Sequence, residues 1–320
     1  MKKVTVIGGG SGIFNVLKGL KDYPVDLTSV VTAFDSGGSA GELRDEFGIL
    51  PPGDLRRSLV ALSPETENQT LRDLFSYRFA STSSLKGHSF GNLLLSALND
   101  ITGSEIAAIK KAGEILNIKG RALPVSVDQA EVCAELEDGT IVRSETNIDI
   151  PRHDGSKRIK KVYLNPPATA YREAYEAVLQ ADLVVIGPGD LFSSILPNIL
   201  VRGMSQALKG TSGKVAYIPN LMSKWGETHG FKSSDLVREV LNYSGLRQMD
   251  YLICNDQPLN EELLKRYRLE RSYPIAVDEQ SLKTLTKELI KGDILWQSDI
   301  IRHDAGKLSR VIVDLVLQDD

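Results

Sequence analysis

The 320-residue chain is poor in the residues that signal several common chemistries. Its two cysteines, Cys133 and Cys254, are far apart and fit no zinc or redox spacing, and its four histidines are scattered. No run approaches the ~20 apolar residues of a membrane helix. The opening "MKKVTVIGGG" meets glycine too soon for a signal-peptide core. Two thiols without such a leader give the expectation of a reducing cytoplasm. A formal net charge of -4 leaves no general basic surface for nucleic acid. There is no G-x-x-x-x-G-K-[ST] and no G-x-S-x-G, which argues against a P-loop ATPase and an α/β hydrolase. No internal repeat or low-complexity segment is evident.

What is present is an alternation. "KVTVIGGG" (3–10) has the pattern of a buried strand running into a glycine turn, "IFNVLKGLKDY" (13–23) has helical spacing, and "VDLTSVVTAF" (25–34) is a second strand. Helices are expected over 55–63, 69–79, 88–100 and 104–116, and a closing helix over 307–318. A β-rich insertion is expected at about 118–165, turning at Asp138–Gly139 and closed by "KRIKKVYL". The α/β pattern then resumes with strands expected at 181–190, 214–220, 249–255 and 272–278, and a helix over 191–208 broken at Pro197. The expectation is one Rossmann-like α/β domain over 1–320: a mostly parallel sheet, helices on both faces, and a small antiparallel insertion.

The polar stretches 8–12, 35–57, 187–194, 219–229 and 255–257 all follow predicted strands, so they should meet at one crevice. "GGGSG" (8–12) suits an anion, since Gly9, Gly10, Ser11 and Gly12 let backbone N–H groups approach closely. It is G-x-G-x-G rather than the dinucleotide G-x-G-x-x-G, so a dehydrogenase rests on this turn and Asp35 alone. The segment 35–57 reads as a long polar loop, too polar for core and a candidate moving part. Within it Asp35 could meet a ribose, Mg2+ or an acceptor hydroxyl, or be a plain turn carboxylate. Gly37, Gly38 and Ser39 follow it, and Arg44 adds a guanidinium. In "PPGDLRR" Gly53 turns the chain and Asp54 can cap a helix. Arg56 and Arg57 then fall where cations oppose the helix dipole, and a bound phosphate would offset this; the plain alternative is pairing with Glu42, Asp45 or Glu46. His88 and Asn92 lie at a helix start. His88 could contact phosphate or be structural. Gly187, Gly189, Asp190, Ser193 and Ser194 repeat the strand–glycine–helix logic, with Asp190 as a cap. Asn220, Lys224, Glu227, Thr228 and His229 share a later loop, and Asn255 ends another strand.

Six ordered motifs, "VIGGGSG", "FDSGGSAGELR", "PPGDLRR", "GHSFGN", "IGPGDLFSSILPN" and "NLMSKWGET", resemble the bacterial gluconeogenesis factor family, which is similar to 2-phospho-L-lactate transferases of deazaflavin coenzyme biosynthesis. The resemblance spans residue 3 to about 310. It implies a nucleotide diphosphate bound between the two halves of the core. It adds Tyr267 and Arg302 as residues meeting a sugar nucleotide. The chain departs from the family pattern at Ser36, Glu42, Asp190 and Trp225, where a second acid, a base, a Ser or Thr, and a Pro are usual.

The first expectation is a cytoplasmic, homo-oligomeric regulator that binds a UDP-sugar-type ligand, works through protein partners, and is linked to cell shape and wall synthesis on gluconeogenic carbon sources. The second is a Mg2+-assisted transferase, with Asp35 orienting the metal or acceptor and His88 assisting. GDP and an NAD-like dinucleotide are the competing ligands.

Overall fold

Val4, Val6 and Ile7 on one strand and Val184, Val185 and Ile186 on another are fully enclosed. In the computed structural model, which describes residues 1–65, 69–80 and 85–317, these two strands lie side by side at the centre of a seven-stranded sheet. In chain order the strands are β1 (Lys2–Gly8), β2 (Val25–Val31), β3 (Arg121–Pro124), β4 (Glu131–Leu136), β5 (Ile141–Arg143), β6 (Ile159–Asn165), β7 (Leu183–Ile186), β8 (Lys214–Tyr217), β9 (Met249–Asn255), β10 (Thr286–Gly292), β11 (Leu295–Gln297) and β12 (Ile301–His303). The large sheet has the order β10-β9-β8-β7-β1-β2-β3, and every pair in it is parallel. The fold is Rossmann-like α/β.

The chain moves from β1 outward to β2 and β3, then returns to the far side of β1 and moves outward again from β7. The reversal falls between β1 and β7. Open α/β sheets leave a crevice beyond the carboxyl ends of their strands at such a point. Side chains alternate between the sheet faces. Val4, Val6, Leu183 and Val185 join one core, while Ile7, Val184 and Ile186 join the other. The first core is covered by the helices Gly10–Leu20, Pro52–Leu62, Glu105–Ile115 and Ala305–Leu317. The second is covered by Arg172–Leu179, Met204–Gly210 and Ser233–Ser244, and by the antiparallel sheet β5-β4-β6.

Several expectations need correction. The 35–57 stretch is not a loop: it holds a helix, Gly38–Phe47, and the start of Pro52–Leu62. Nor is it too polar for the interior, since Asp54 and Arg56 are buried with hydrogen-bonded partners. Asp54 does not cap its helix; Pro51 occupies that position and Asp54 lies inside the first turn. Residues 272–278 form no strand beyond a single bridge from Pro274 to Met222, and the tenth strand is Thr286–Gly292. Pro274 lacks the N–H that a ladder needs. Arg121–Pro124 belongs to the main sheet, so the antiparallel sheet itself spans Glu131–Asn165. The 191–208 segment is not broken at Pro197, which sits in the first turn of Leu196–Leu200. It parts at Gly203, whose φ of 104° lies in the left-handed region. The closing helix is described to Leu317; residue 318 lies outside the described residues.

Candidate functional site

Two strand-to-helix turns meet at the switch point. The first leaves β1 through Gly9 into the helix Gly10–Leu20, with no side chain capping it. The second leaves β7 through Gly187–Asp190 into the short turn Leu191–Ile195. They touch at Gly12, where a Cβ would lie 2.1 Å from the Pro188 carbonyl oxygen, so only glycine fits.

Beyond the turns lie two chambers. The first, about 430 Å3, is lined by both turns, by Asp35, Gly37, Gly38 and Ser39, by Gly53, Asp54, Arg56 and Arg57, and by Asn92. The second, about 440 Å3, is lined by Gly9, Gly12, Gly189, Asn220, Lys224, Tyr267 and Arg302 among others. Gly10, Ser11, Asp190 and Ser194 belong to both, so the chambers adjoin across the paired turns.

The two turns treat their helix N-termini alike in one respect: each meets an internal carboxylate. Asp54 stands against the first turn, its Oδ2 2.6 Å from where a Gly9 Cβ would lie, and accepts from Arg57 Nη1 at 3.0 Å; the nearby Gly10 N–H favours its ionised form. Burial raises the Asp54 pKa, against the pull of Arg57. At the second turn the N–H groups of Phe192 and Ser193 donate to Glu227 Oε2 at 3.0 and 3.2 Å, and Ser193 Oγ donates to Oε1 at 3.1 Å. Glu227 is fully buried and lines neither chamber. Lys224 Nζ ties it to Asp190 at 2.7 Å and to Asp149. Burial works to lower the Lys224 pKa, but Glu227, Asp190 and Asp149 outweigh it and hold the ammonium well above its usual value. Asp190 occupies the N-cap position as expected, but its side chain makes no cap hydrogen bond; it holds Lys224 and accepts from Asn220 Nδ2 at 3.0 Å.

Arg56 and Arg57 do not pair with Glu42, Asp45 or Glu46. Arg56 Nε donates to Asn92 Oδ1 at 2.9 Å and Nη1 to the Phe75 carbonyl at 3.1 Å. Asn92 Nδ2 donates to Ser39 Oγ at 3.2 Å, Ser39 Oγ lies 3.1 Å from His88 Nδ1, and His88 Nε2 lies 3.2 Å from Glu42. A polar chain thus runs from the chamber wall to the surface. His88 precedes the helix, which begins at Phe90, and it meets Ser39 rather than either chamber. Arg57, 42% exposed at its side chain, is the more available of the two arginines.

The first chamber is rich in carboxylates. Burial pushes Asp35 up to about 6, with Asp54 adding repulsion. Burial, then Asp35 and Asp149, push Glu145 up to about 8. Thr32, buried at the chamber wall, leaves Oγ1 without a hydrogen-bond partner. Crowded oxygen donors whose ionised forms repel one another suit a hard divalent cation such as Mg2+. Asp35 and Asp54 fit that role despite Ser36 replacing the usual second acid. Asp149, Asp190 and Glu227 also lie within ligating distance of one another, but Lys224 already neutralises them.

The remaining sequence candidates are placed elsewhere. Arg44 forks onto Asp45 away from the chambers. Gly187 lies beneath the second turn against the Ile218 carbonyl. Thr228 Oγ1 accepts from the Lys224 N–H at 3.0 Å and so shapes the loop. Asn255 lines a separate cavity of about 220 Å3, which shares Asn220 and Leu221 with the lining of the second chamber. Tyr267 lines the second chamber, but its hydroxyl is used by the Ile301 backbone. Glu145, Thr146 and Asp149, from the short helix Glu145–Asp149 in the insertion, were not anticipated. Ser36 Oγ and Thr146 Oγ1 meet at 2.9 Å across 110 positions of chain, a pairing with no local signal.

Together these features define a Rossmann-like α/β protein with a polar crevice at the switch point. A family model described as 2-phospho-L-lactate transferase CofD matches residues 4–295. A gluconeogenesis factor from Halalkalibacterium halodurans is 42% identical over 98% of this chain and 96% of its own length. One from Bacillus subtilis is 38% identical over 98% of each. A crystal structure of a Bacillus halodurans protein superposes with a TM-score of 0.92 at 40% identity, covering 98% of this chain and 99% of that one. The chain belongs to the gluconeogenesis factor family, within the wider 2-phospho-L-lactate transferase CofD family.

Proposed function

We propose that this protein binds a UDP-sugar-type nucleotide across the β1/β7 crevice and acts as a ligand-sensing regulator. The observation that carries this is the pair of chambers adjoining at Gly10, Ser11, Asp190 and Ser194. A diphosphate at that junction leaves one chamber for the nucleoside and the other for the sugar. Ser11 and the helix N-terminus offer backbone donors, Ser194 offers a hydroxyl, and Arg57 offers a guanidinium. Asp54 competes for the same Gly10 N–H. Phosphate binding therefore shifts the Asp54–Arg57 pair and the helix that carries both, and such a displacement is how a ligand biases one conformation over another. Mg2+ held by Asp35 and Asp54 would supply charge against the diphosphate. In keeping with the family, the regulator acts in the cytoplasm as a homo-oligomer, through protein partners that govern cell shape and wall synthesis on gluconeogenic carbon.

The test is calorimetry with UDP-N-acetylglucosamine, using GDP and NAD as comparators, with and without Mg2+. Tight binding of the UDP-sugar without turnover is expected. Failure to bind it, with Mg2+-dependent GDP binding instead, favours a second reading. That reading is a transferase moving a phosphoryl-linked group to an acceptor hydroxyl. Asp35 near 6, in a chamber that also holds Arg56 and Arg57, is poised as a base and supports it. Release of a nucleoside monophosphate in the presence of an acceptor would be its signature.

A further inference from the structure

The polar chain that runs from Arg56 to the surface has a direction, and the chemistry of its two ends fixes it. Arg56 Nε can only donate, so the Asn92 atom that meets it at 2.9 Å is Oδ1, and the amide nitrogen is turned to Ser39 Oγ at 3.2 Å. At the other end the Glu42 carboxylate can only accept, so His88 Nε2, 3.2 Å away, carries a hydrogen. In the neutral ring Nδ1 is then an acceptor, and its partner at 3.1 Å is the Ser39 hydroxyl. Ser39 therefore receives from Asn92 and gives to His88.

Ser39 is 6% exposed and lines the first chamber with Arg56 and Asn92, whereas His88 does not line it. With His88 neutral, the Ser39 hydrogen is committed to the ring and only a lone pair is left for a ligand. Protonation of His88 reverses this. Both ring nitrogens then donate, Ser39 Oγ accepts from His88 and Asn92 together, and its own hydrogen is freed. The charged groups near the ring are Glu42 on the helix Gly38–Phe47, Arg78, which donates to the Gly87 carbonyl from the segment bridged to Ser89, and Lys86 in the same loop; Arg56 is reached through Asn92.

We propose that His88 is a positioning residue whose charge sets whether Ser39 offers the ligand a lone pair or a hydrogen. Neutral, it keeps the hydroxyl donor for itself. Charged, it releases a donor suited to a phosphate or carbonyl oxygen in the first chamber. Such an oxygen binds more tightly when His88 is protonated, and its binding in turn draws a proton from solvent onto the imidazole. Histidine is the side chain that ordinarily makes this change near neutral pH. The inference rests on the nucleotide-binding reading above and adds to it a pH-sensitive choice of ligand oxygen.

The experiment is calorimetry of the full chain with UDP-N-acetylglucosamine at pH 6 and pH 8, in buffers of different ionisation enthalpy, so that protons taken up on binding are counted. Asp35 and Glu145 titrate in the same chamber, so the reading is the difference between wild type, His88→Asn and Ser39→Ala. The asparagine amide stands in for Nδ1 and has no charge to change. Between pH 8 and pH 6 the wild-type affinity should gain about tenfold more than that of either variant, the scale of one hydrogen bond to a charged oxygen. The extra proton uptake should vanish equally in both variants and in the double variant. Should GDP bind instead, the same differences are expected with it. Nitrogen NMR of the free protein is a second test that needs no ligand: with the His88 signals identified by their loss in His88→Asn, the neutral ring should carry its hydrogen on Nε2. The opposite tautomer, or wild-type proton uptake retained in folded His88→Asn or folded Ser39→Ala, would overturn the assignment while leaving nucleotide binding in place. Absence of binding by the UDP-sugar, GDP and NAD at both pH values would remove the nucleotide reading and this inference with it.

Discussion

The Gly8–Gly12 turn sets its helix N-terminus against Asp54, a carboxylate in the wall of an open chamber and shared with a part-exposed arginine. The Gly187–Ser194 turn sets its own against Glu227, fully buried and tied to Lys224. Similar sequences thus produce two kinds of anion site. At the second turn the protein has supplied the anion itself and enclosed it, so that turn is a structural joint between the insertion helix Glu145–Asp149 and the loop after β8. At the first turn the internal anion stands where a ligand can compete with it. The glycines confer backbone freedom in both places; what occupies the donors decides the role.

The largest expected effect comes from breaking the second joint. Lys224→Met leaves Glu227, Asp190 and Asp149 facing one another without their cation. It should lower stability by about 3 kcal/mol in urea unfolding, the scale for stranding buried charge. Adding Glu227→Gln should restore part of the loss. If Lys224→Met unfolds at the wild-type midpoint, the joint is not structural.

Arg57→Ala tests the first turn and should act the other way round. Its ion pair with Asp54 is part-exposed and worth ~1 kcal/mol or less to stability. Nucleotide affinity should nevertheless fall about tenfold or more, since a charge-assisted phosphate contact is removed. Unchanged affinity would place the phosphates elsewhere.

A further effect is the pH dependence of the first chamber. Asp35 and Glu145 have folded-state pKa values raised to about 6 and about 8. Each therefore favours the folded state when protonated, fully below its ordinary carboxylate value, and this contribution is lost as pH rises through the raised value. In chelator-treated protein, Glu145→Gln should raise the melting temperature most at pH 9, with the gain shrinking toward pH 5. A gain of the same size at both pH values would show that ionised Glu145 is not strained.

Much of the fold was legible because it rests on local pattern. Val4, Val6 and Ile7 announce a buried strand, and the glycines after it announce a turn whatever surrounds them. Legibility failed where partners are remote. Asp54 and Arg56 look like surface residues until Arg57, Asn92 and Phe75 are seen to satisfy them. The 272–278 stretch looks like a strand because its apolar residues alternate, yet the sheet gives that place to Thr286–Gly292.

The sequence by itself determined the α/β alternation, the glycine turns after β1 and β7, and the family, since each depends on residues near one another in the chain. Only the tertiary structure decided which turn is open. That choice depends on whether Asp54 or Glu227 arrives at a helix N-terminus, and with how much cover. Carboxylates brought from 44 and 34 positions away, Gly10 to Asp54 and Ser193 to Glu227, leave no local trace, because their energies depend on burial and on neighbours that only folding assembles.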